Sequence, residues 1–426
     1  MTVLQLGSSG NDTELLQLAL ARGGYGSGDI DGFFGSKTQN AVRRFQSDYA
    51  LVPDGIAGKQ TMAALRPFLL GYFIMTVRAG DTVNRIAKRY DTSSEAIAAA
   101  NPGMDPERLM IGDRIVVPYG FRLVPSNMRF TPKLTDLILD GLEVRYPFLR
   151  SEVYGSSELG SPLRAVGFGT GERAVMINAS HHANEWITTP LVLRFIESFL
   201  NAYIMGGTIF GRSAKALYER VKLIAAPLVN PDGVALVNGA LEHGSSGYIE
   251  AKRIAERYPS VRFPDGWKAN ISGIDLNLNY PADWEEAKRI KFAQGWTSPA
   301  PRDFVGSEPL CASESRALYE LTLAHDPALT LSFHTQGREI YWRFKDMEPQ
   351  NAREIGEEMA AVSGYALASV PNESSNAGYR DWFILNYDRP GYTVEAGYGM
   401  NPLPLSQFDE IYSDNIGIII TALERI

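Results

Sequence analysis

Cysteine is nearly absent: Cys311 is the single one among 426 residues. No disulfide can form within the chain, and zinc sites of the Cys₄ or Cys₂His₂ kind are excluded. A bound metal must take its ligands from histidine and carboxylate side chains. Histidine is scarce as well, at five. No run of about 18 apolar residues occurs, so no segment reads as a membrane span, and "IGIIITAL" near the C-terminus reads as a buried helix. The N-terminus, "MTVLQLGSSGND", has neither a basic n-region nor a long apolar stretch and does not read as a Sec signal peptide. Positive charge is not in excess. Lys and Arg number 41 against 49 Asp and Glu, a net charge of −8, so nucleic-acid binding has no support from bulk electrostatics. The remaining composition, 45% hydrophobic and 21% charged, is that of a globular chain. Its length predicts two to four domains.

The first 67 residues contain an internal echo. "DGFFG" at 31–35 recurs as "DGIAG" at 54–58, and each is followed by a threonine and an apolar-periodic run, "TQNAVRRF" and "TMAALRPF". Asp-Gly pairs are turn chemistry, because glycine tolerates positive φ and aspartate bonds the turn backbone. With Leu15, Leu16, Leu18 and Leu20 ahead on a helical pattern, this predicts a small all-α bundle. The stretches "LQLGSSGNDTELLQLAL", "GDIDGFFGSKTQNAVRRFQ" and "VPDGIAGKQTMAAL" resemble the peptidoglycan-binding-domain-1 family. Residues 74–118 read as strand, two short helices ("VNRIAKRY", "SEAIAAAN") and a closing strand ("DRIVVP"). That β-α-α-β order, with "AGDTVNRIAKRY", "NPGM" and "LMIGDRIVVP", resembles a LysM module, a family that binds N-acetylglucosamine-containing glycans. "YGFRLVPSNMRFTPK" reads as a linker with two prolines. The expected boundaries are a helical peptidoglycan-binding domain at 1–69, a LysM domain at 72–119, a linker at 120–133 and a catalytic domain at 134–426.

In the last region "RAVMINAS", "VKLIAAPLV", "ALTLSFH" and "GYTVEAG" read as strands. Helical patterns such as "LTDLILDGLEVRY", "TTPLVLRFIESFL" and "EIGEEMAAVSGYA" lie between them. The alternation predicts an α/β domain with a largely parallel or mixed sheet and helices on both faces. Sites in such sheets gather where strands end.

One such end is "NASHHANEWIT", residues 178–188, which holds two of the five histidines. His182 and Glu185 are spaced i, i+3, so on a helical turn they point to one side and His181 points elsewhere. A histidine and a carboxylate on one face can hold zinc, but two ligands do not make a site. His334, closing the strand of "TLSFHTQG", supplies a third. His243 and His325 lie in polar, loop-like surroundings and read as surface residues.

The stretches "HHANEW", "LVNPDGVAL", "GIDLNLNYP", "SFHTQG" and "GYTVEAG" resemble the zinc carboxypeptidase family, in its order and over nearly all of residues 125–426. The resemblance implies one Zn²⁺ per chain held by His182, Glu185 and His334, with water at the fourth position. His181 is then packed behind the ligands. Asp275 would orient His182 and fix its tautomer. Glu395 would be the general base for the metal-activated water, and Lys268 in "WKAN" would stabilise the oxyanion.

Three positions depart from the family pattern. Its "DxNRN" stretch binds the substrate's terminal carboxylate with an Asn-Arg pair. Here Asn277 is kept but Leu278 replaces the arginine, and leucine cannot pair with a carboxylate. The floor of the specificity pocket, just ahead of Asp381-Trp382, is Arg380, which suits a substrate carrying a carboxylate on its side chain. The position of the family's catalytic tyrosine falls at Glu373, with Tyr379 and Tyr398 as nearby substitutes. Together with the N-terminal modules, these features resemble the γ-D-glutamyl-meso-diaminopimelate peptidases. They imply a zinc-dependent peptidoglycan hydrolase acting on diaminopimelate stem peptides and glycan strands, with no nucleic-acid or membrane partner. Such an enzyme would be wall-associated or extracellular, or tied to spore formation. The alternatives are a wall-anchored general metallocarboxypeptidase and a catalytically dead wall-binding protein.

Overall fold

The structure is a computed structural model describing residues 3–26, 28–370 and 375–426. The chain divides into two compact units. The first runs through Met128 and adds Lys133–Leu149 and Leu200–Met205; the second holds Arg129–Pro132, Arg150–Phe199 and Gly206–Ile426.

The first unit opens with helices Asn11–Arg22, Ser36–Asp48 and Lys59–Leu70. Their apolar faces bury Leu15, Leu16, Leu20, Val42, Phe45, Leu65 and Phe68. The sequence echo is a repeated polar clamp built on a buried glutamine. Gln17 Nε2 donates to Asp31 Oδ1 at 2.8 Å, to Phe33 O at 3.1 Å and to Thr38 Oγ1 at 3.3 Å, while its Oε1 accepts from the Gly32 amide at 2.9 Å. Gln46 repeats the pattern with Asp54 at 2.9 Å, Ile56 O at 2.9 Å, Thr61 at 3.1 Å and the Gly55 amide at 2.9 Å. Gly32 and Gly55 have φ of 70° and 78°, the left-handed region that glycine enters without steric cost. The Asp-Gly pair of each turn, followed by a threonine that lies in the next helix, was legible as turn chemistry. The glutamines, inside apolar helical runs, were not.

The next module pairs β1 (Tyr72–Thr76) antiparallel with β2 (Arg114–Pro118). Between them, helix Val83–Arg89 is capped by Thr82 and helix Ser94–Ala100 by Ser93, each side-chain oxygen accepting a first-turn amide. Val77, Val83, Ile86, Ile97, Ile115 and Val117 form its core. The segment expected as a linker has no regular structure before Pro132, yet Leu123, Val124 and Met128 are buried. Phe68, Tyr119 and Phe121 stack in series at 5.1 and 5.2 Å. Helix Pro132–Arg145 groups with this unit from Lys133 onward.

The second unit is α/β around an eight-stranded mixed sheet. Its strands are β3 (Arg150–Ser156), β4 (Pro162–Phe168), β5 (Arg173–Ala179), β8 (Val221–Ala226), β9 (Leu329–His334), β10 (Glu339–Tyr341), β11 (Ala366–Ala368) and β12 (Gly391–Glu395); a small hairpin, β6 (Thr208–Ile209) and β7 (Arg212–Ser213), stands apart from it. The spatial order is β11-β10-β12-β9-β5-β8-β4-β3. The four central strands are mutually parallel, whereas β10 against β12, β4 against β8 and β3 against β4 are antiparallel. Successive residues of β9 are all buried, as are all but the first of β5. Both faces of the sheet are therefore covered, which is why these strands read as continuous apolar runs. The parallel strands end together, and the register that pairs His334 with Glu395 brings two candidate residues side by side.

Candidate metal centre

The chain leaves β5 at Ala179 and turns through Ser180, whose φ is 53°. His182 then caps a single 3-10 turn, Ala183–Glu185, and the following α-helix begins at Thr188. The expected helical turn is thus 3-10, but His182 and Glu185 still face each other: Nδ1 lies 2.9 Å from Oε1. "LVNPDG" explains why this loop holds its shape. Asn230 caps helix Pro231–Val237 and donates to the carbonyls of both His181 and Ala269 at 3.0 Å. A Cβ on Gly233 would meet Ala183 and Ala269 O at 2.8 Å, so glycine permits the close approach. That motif is scaffold.

His182, Glu185 and His334 form the one candidate metal-ligand cluster among the described residues, and all three are buried. His334 Nδ1 stands 3.1 Å from His182 Nδ1 and 2.9 Å from Glu185 Oε2. His182 Nε2 is held by Asp275 Oδ1 at 3.1 Å. That bond places a proton on Nε2 and turns Nδ1 toward Glu185 and His334. Two imidazole nitrogens and a carboxylate thus converge, a ligand set suited to a cation. Tetrahedral zinc, with bonds of about 2.0–2.1 Å, spaces its ligands by roughly 3.3 Å, close to the separations found. The triad fits a single zinc ion.

Burial pushes the His182 pKa down, but Glu185 and Asp275 override it and lift it to about 9. Burial would raise Glu185, but His182 and Lys268 hold it well below the usual carboxylate range. Burial lowers His334 and, aided by the other two histidines, holds His181 well below its ordinary value. His181 lies outside the triad, bonded to Tyr280 OH at 3.0 Å and stacked on His334 at 5.5 Å. His243 is exposed on Tyr248 at 4.4 Å. His325 ends helix Ser313–His325, where a loop was expected, and pairs with Glu152 at 2.6 Å.

Glu395 ends β12 opposite His334, and burial, then the charge of Glu185, pushes its carboxyl up to about 8. Lys268 Nζ lies 3.5 Å from Glu185 Oε1, and the Lys268 carbonyl accepts from the Ala183 amide at 3.0 Å. Beside them is a hollow of about 240 Å³ lined by His182, Lys268, Asn277, Leu278, Arg380 and Glu395, among others. Asn277 accepts from the Tyr379 amide at 3.0 Å. Leu278 packs against the cluster around Trp284 and Val305. Arg380, on helix Tyr379–Tyr387, is 5% exposed and donates to Asp381 Oδ1 at 2.5 Å and to Ser375 Oγ at 3.3 Å.

Glu373 falls outside the described residues. Tyr379 is a core residue, its hydroxyl 2.9 Å from Thr322 Oγ1. Tyr398 is 53% exposed. The tyrosine that lines the hollow is Tyr341, bonded to Glu339 at 2.5 Å. Sequence reasoning also missed Asn401, which donates to the Thr335 carbonyl at 2.9 Å and stands 3.5 Å from Glu185. It missed Asp303 too, whose amide donates to Asp275 Oδ2 at 3.1 Å. Neither sits in a motif, and no local pattern marks them.

A mixed α/β sheet with a His-Glu-His zinc site at its parallel strand ends defines a metallopeptidase of carboxypeptidase type. The chain belongs to the zinc carboxypeptidase family, whose pattern it matches over residues 136–416. It also matches a putative peptidoglycan binding domain at 9–65 and a LysM domain at 75–118, so it is a zinc peptidase equipped for peptidoglycan and associated with the cell wall. It is 41% identical over 304 residues to gamma-D-glutamyl-L-diamino acid endopeptidase 1 of Lysinibacillus sphaericus, an alignment covering 71% of this chain and 74% of that protein. The fold is shared with carboxypeptidase A from Helicoverpa armigera, at TM-score 0.53 and 18% identity over 80% of this chain and 79% of that one. Bovine thrombin-activatable fibrinolysis inhibitor gives TM-score 0.54 and 17% identity over 70% and 97%. No helix among the described residues is long and apolar enough to cross a membrane.

Proposed function

We propose that this enzyme hydrolyses the amide between γ-D-glutamate and meso-diaminopimelate in peptidoglycan stem peptides. The observation that carries the reading is the placement of cations in the substrate hollow. Leu278, where a carboxypeptidase needs its terminal-carboxylate arginine, contributes an apolar wall, while the buried Arg380 lines the same hollow. A pocket of that kind suits a residue whose side chain ends in a carboxylate more than a free chain terminus. The name of the Lysinibacillus relative points the same way. Domains 1–69 and 72–119 would hold the chain on the glycan, and tethering raises the effective concentration of stems for domain 134–426.

Zinc, when bound, supplies Lewis acidity and an acidified water. Glu395 accepts a proton at the strand end beside His334 and passes it to the leaving nitrogen. Lys268 faces the same space and stabilises negative charge on the scissile carbonyl oxygen. Asp275 keeps the His182 proton on Nε2. Arg380, oriented by Asp381 and Ser375, receives the diaminopimelate side-chain carboxylate, and Asn277 shapes the adjoining wall.

Mass spectrometry of products from L-Ala-γ-D-Glu-meso-diaminopimelate-D-Ala tests the reading. The expected products are L-Ala-γ-D-Glu and meso-diaminopimelate-D-Ala. Loss of D-Ala alone would make the enzyme a carboxypeptidase, and an untouched peptide with zinc in place would favour a wall-binding protein. Arg380→Gln should weaken cleavage of diaminopimelate stems and spare stems with lysine at that position; equal loss on both would remove Arg380 from recognition.

A further inference from the structure

A second hollow, of about 640 Å³, opens beside the first. The two share Lys268, Tyr341 and Glu395, so the bond to be cut lies where they meet. If diaminopimelate occupies the hollow with Arg380, the acyl half of the substrate extends into the other.

That acyl side holds a cation no motif revealed. Arg302 lines the larger hollow together with Lys268. Its Nε donates to Asp303 Oδ2 at 2.5 Å. Among the described residues its two Nη groups have no protein acceptor. The neighbouring Arg262 is already paired with Asp265, and Lys268 has Glu185 at 3.5 Å. Arg302 is therefore a forked donor with its free edge available to the substrate space. Its position is fixed through Asp303, a left-handed residue with φ of 65°. The Asp303 amide bonds Asp275, its Oδ2 accepts from Arg302, and its Oδ1 accepts from Lys291 at 2.5 Å. Asp275 in turn bonds His182. Short hydrogen bonds thus register the guanidinium against the metal ligands.

A γ-linked D-glutamate differs from any α-linked residue in one respect at this place. Its α-carboxylate stays free, three carbons from the scissile carbonyl. We infer that Arg302 binds this free α-carboxylate and so selects γ-glutamyl over α-linked acyl groups. Planar guanidinium against carboxylate gives two parallel hydrogen bonds, a geometry an ammonium or an amide does not reproduce. This inference rests on the proposed γ-D-glutamyl cleavage and adds to it the residue that reads the acyl side.

The test compares L-Ala-γ-D-Glu-meso-diaminopimelate-D-Ala with the same peptide carrying D-isoglutamine, whose α-carboxylate is an amide. The wild-type zinc enzyme should favour the acid by about 10- to 100-fold in kcat/KM, the range expected for a charged hydrogen-bonded contact. Arg302→Gln should lose that factor on the acid, leave the amide nearly unchanged, and bind zinc as the wild type does. Calorimetry of wild-type enzyme with the products L-Ala-γ-D-Glu and L-Ala-γ-D-isoglutamine gives a second readout that needs no variant, and the acid should bind more tightly. Equal wild-type cleavage of acid and amide, equal product binding, or an Arg302→Gln loss that is the same on both peptides would overturn the role of Arg302 alone. A wild-type enzyme that cuts neither peptide at the γ-glutamyl bond would overturn the proposed function and this inference with it.

Discussion

Gln46 in the first unit and Glu185 in the second are both buried polar side chains ringed by hydrogen-bonding groups about 3 Å away. Around Gln46 each contact joins a donor to an acceptor: its amide nitrogen faces oxygens, and its oxygen faces the Gly55 amide. The cluster closes on itself and asks for nothing more. Around Glu185 three potential metal ligands converge instead. Two histidine nitrogens approach each other at 3.1 Å, and both also face carboxylate oxygens. A zinc ion at their centre would be met by all three side chains at once. In the first cluster hydrogen bonds alone account for the glutamine's polar atoms; in the second the side chains also match a zinc ligand set.

Opposite responses to substitution would sharpen that contrast. The largest effect belongs to the zinc-ligand cluster. His334→Ala, or removal of zinc by chelation, should abolish hydrolysis, and zinc should restore the chelated wild type but not the variant; elemental analysis after dialysis reads the outcome. Next, Glu395→Gln should lower kcat by about 10²- to 10⁴-fold, the usual contribution of a general base, with zinc content unchanged. Activity near wild type would move the base elsewhere.

The glutamine cluster should answer in stability. Gln46→Ala leaves the buried Gly55 amide without its acceptor and takes from Thr61 its glutamine donor. A cost of about 2–4 kcal/mol follows for the first unit, visible as an earlier denaturant transition, with kcat on a small stem peptide unmoved. A catalytic loss there would break the comparison.

Glu314 is the intermediate case. It is fully buried and accepts from Asn270 at 3.0 Å and the Glu158 amide at 3.3 Å. Burial raises its pKa from 4.5 to about 7. Its protonated form therefore favours the fold: the contribution is complete below pH 4.5 and is lost as pH rises through 7. The span is at most about 3 kcal/mol. The stability difference between wild type and Glu314→Gln, followed by denaturation across this range, should shift toward the variant as pH rises. A flat difference would mean that Glu314 ionises normally.

Much of this architecture was legible in advance for local reasons. The Asp-Gly turns, the apolar runs of β5, β8, β9 and β12, and the i, i+3 pairing of His182 with Glu185 each express a short-range rule. Other features were not local. Gln17 and Gln46 look like polar interruptions of amphipathic helices until the folded turns supply their partners. Tyr379 stood beside Arg380 in sequence and was a candidate for the site, but consecutive positions on a helix point about 100° apart, and its ring went into the core while Arg380 lined the hollow. Tyr341 and Asn401 reached the site from strands and loops with no motif.

The sequence by itself determined the modules, their order, the residue types available to hold zinc and the absence of an arginine at position 278. Those depend on composition, periodicity and spacing along the chain. The tertiary structure alone decided that His334 and Glu395 stand in register, that Asp303 adopts a left-handed backbone and positions Lys291 and Arg302, and that His182, Glu185 and His334 converge. Such facts turn on where side chains from distant segments point, and packing among segments fixes that direction.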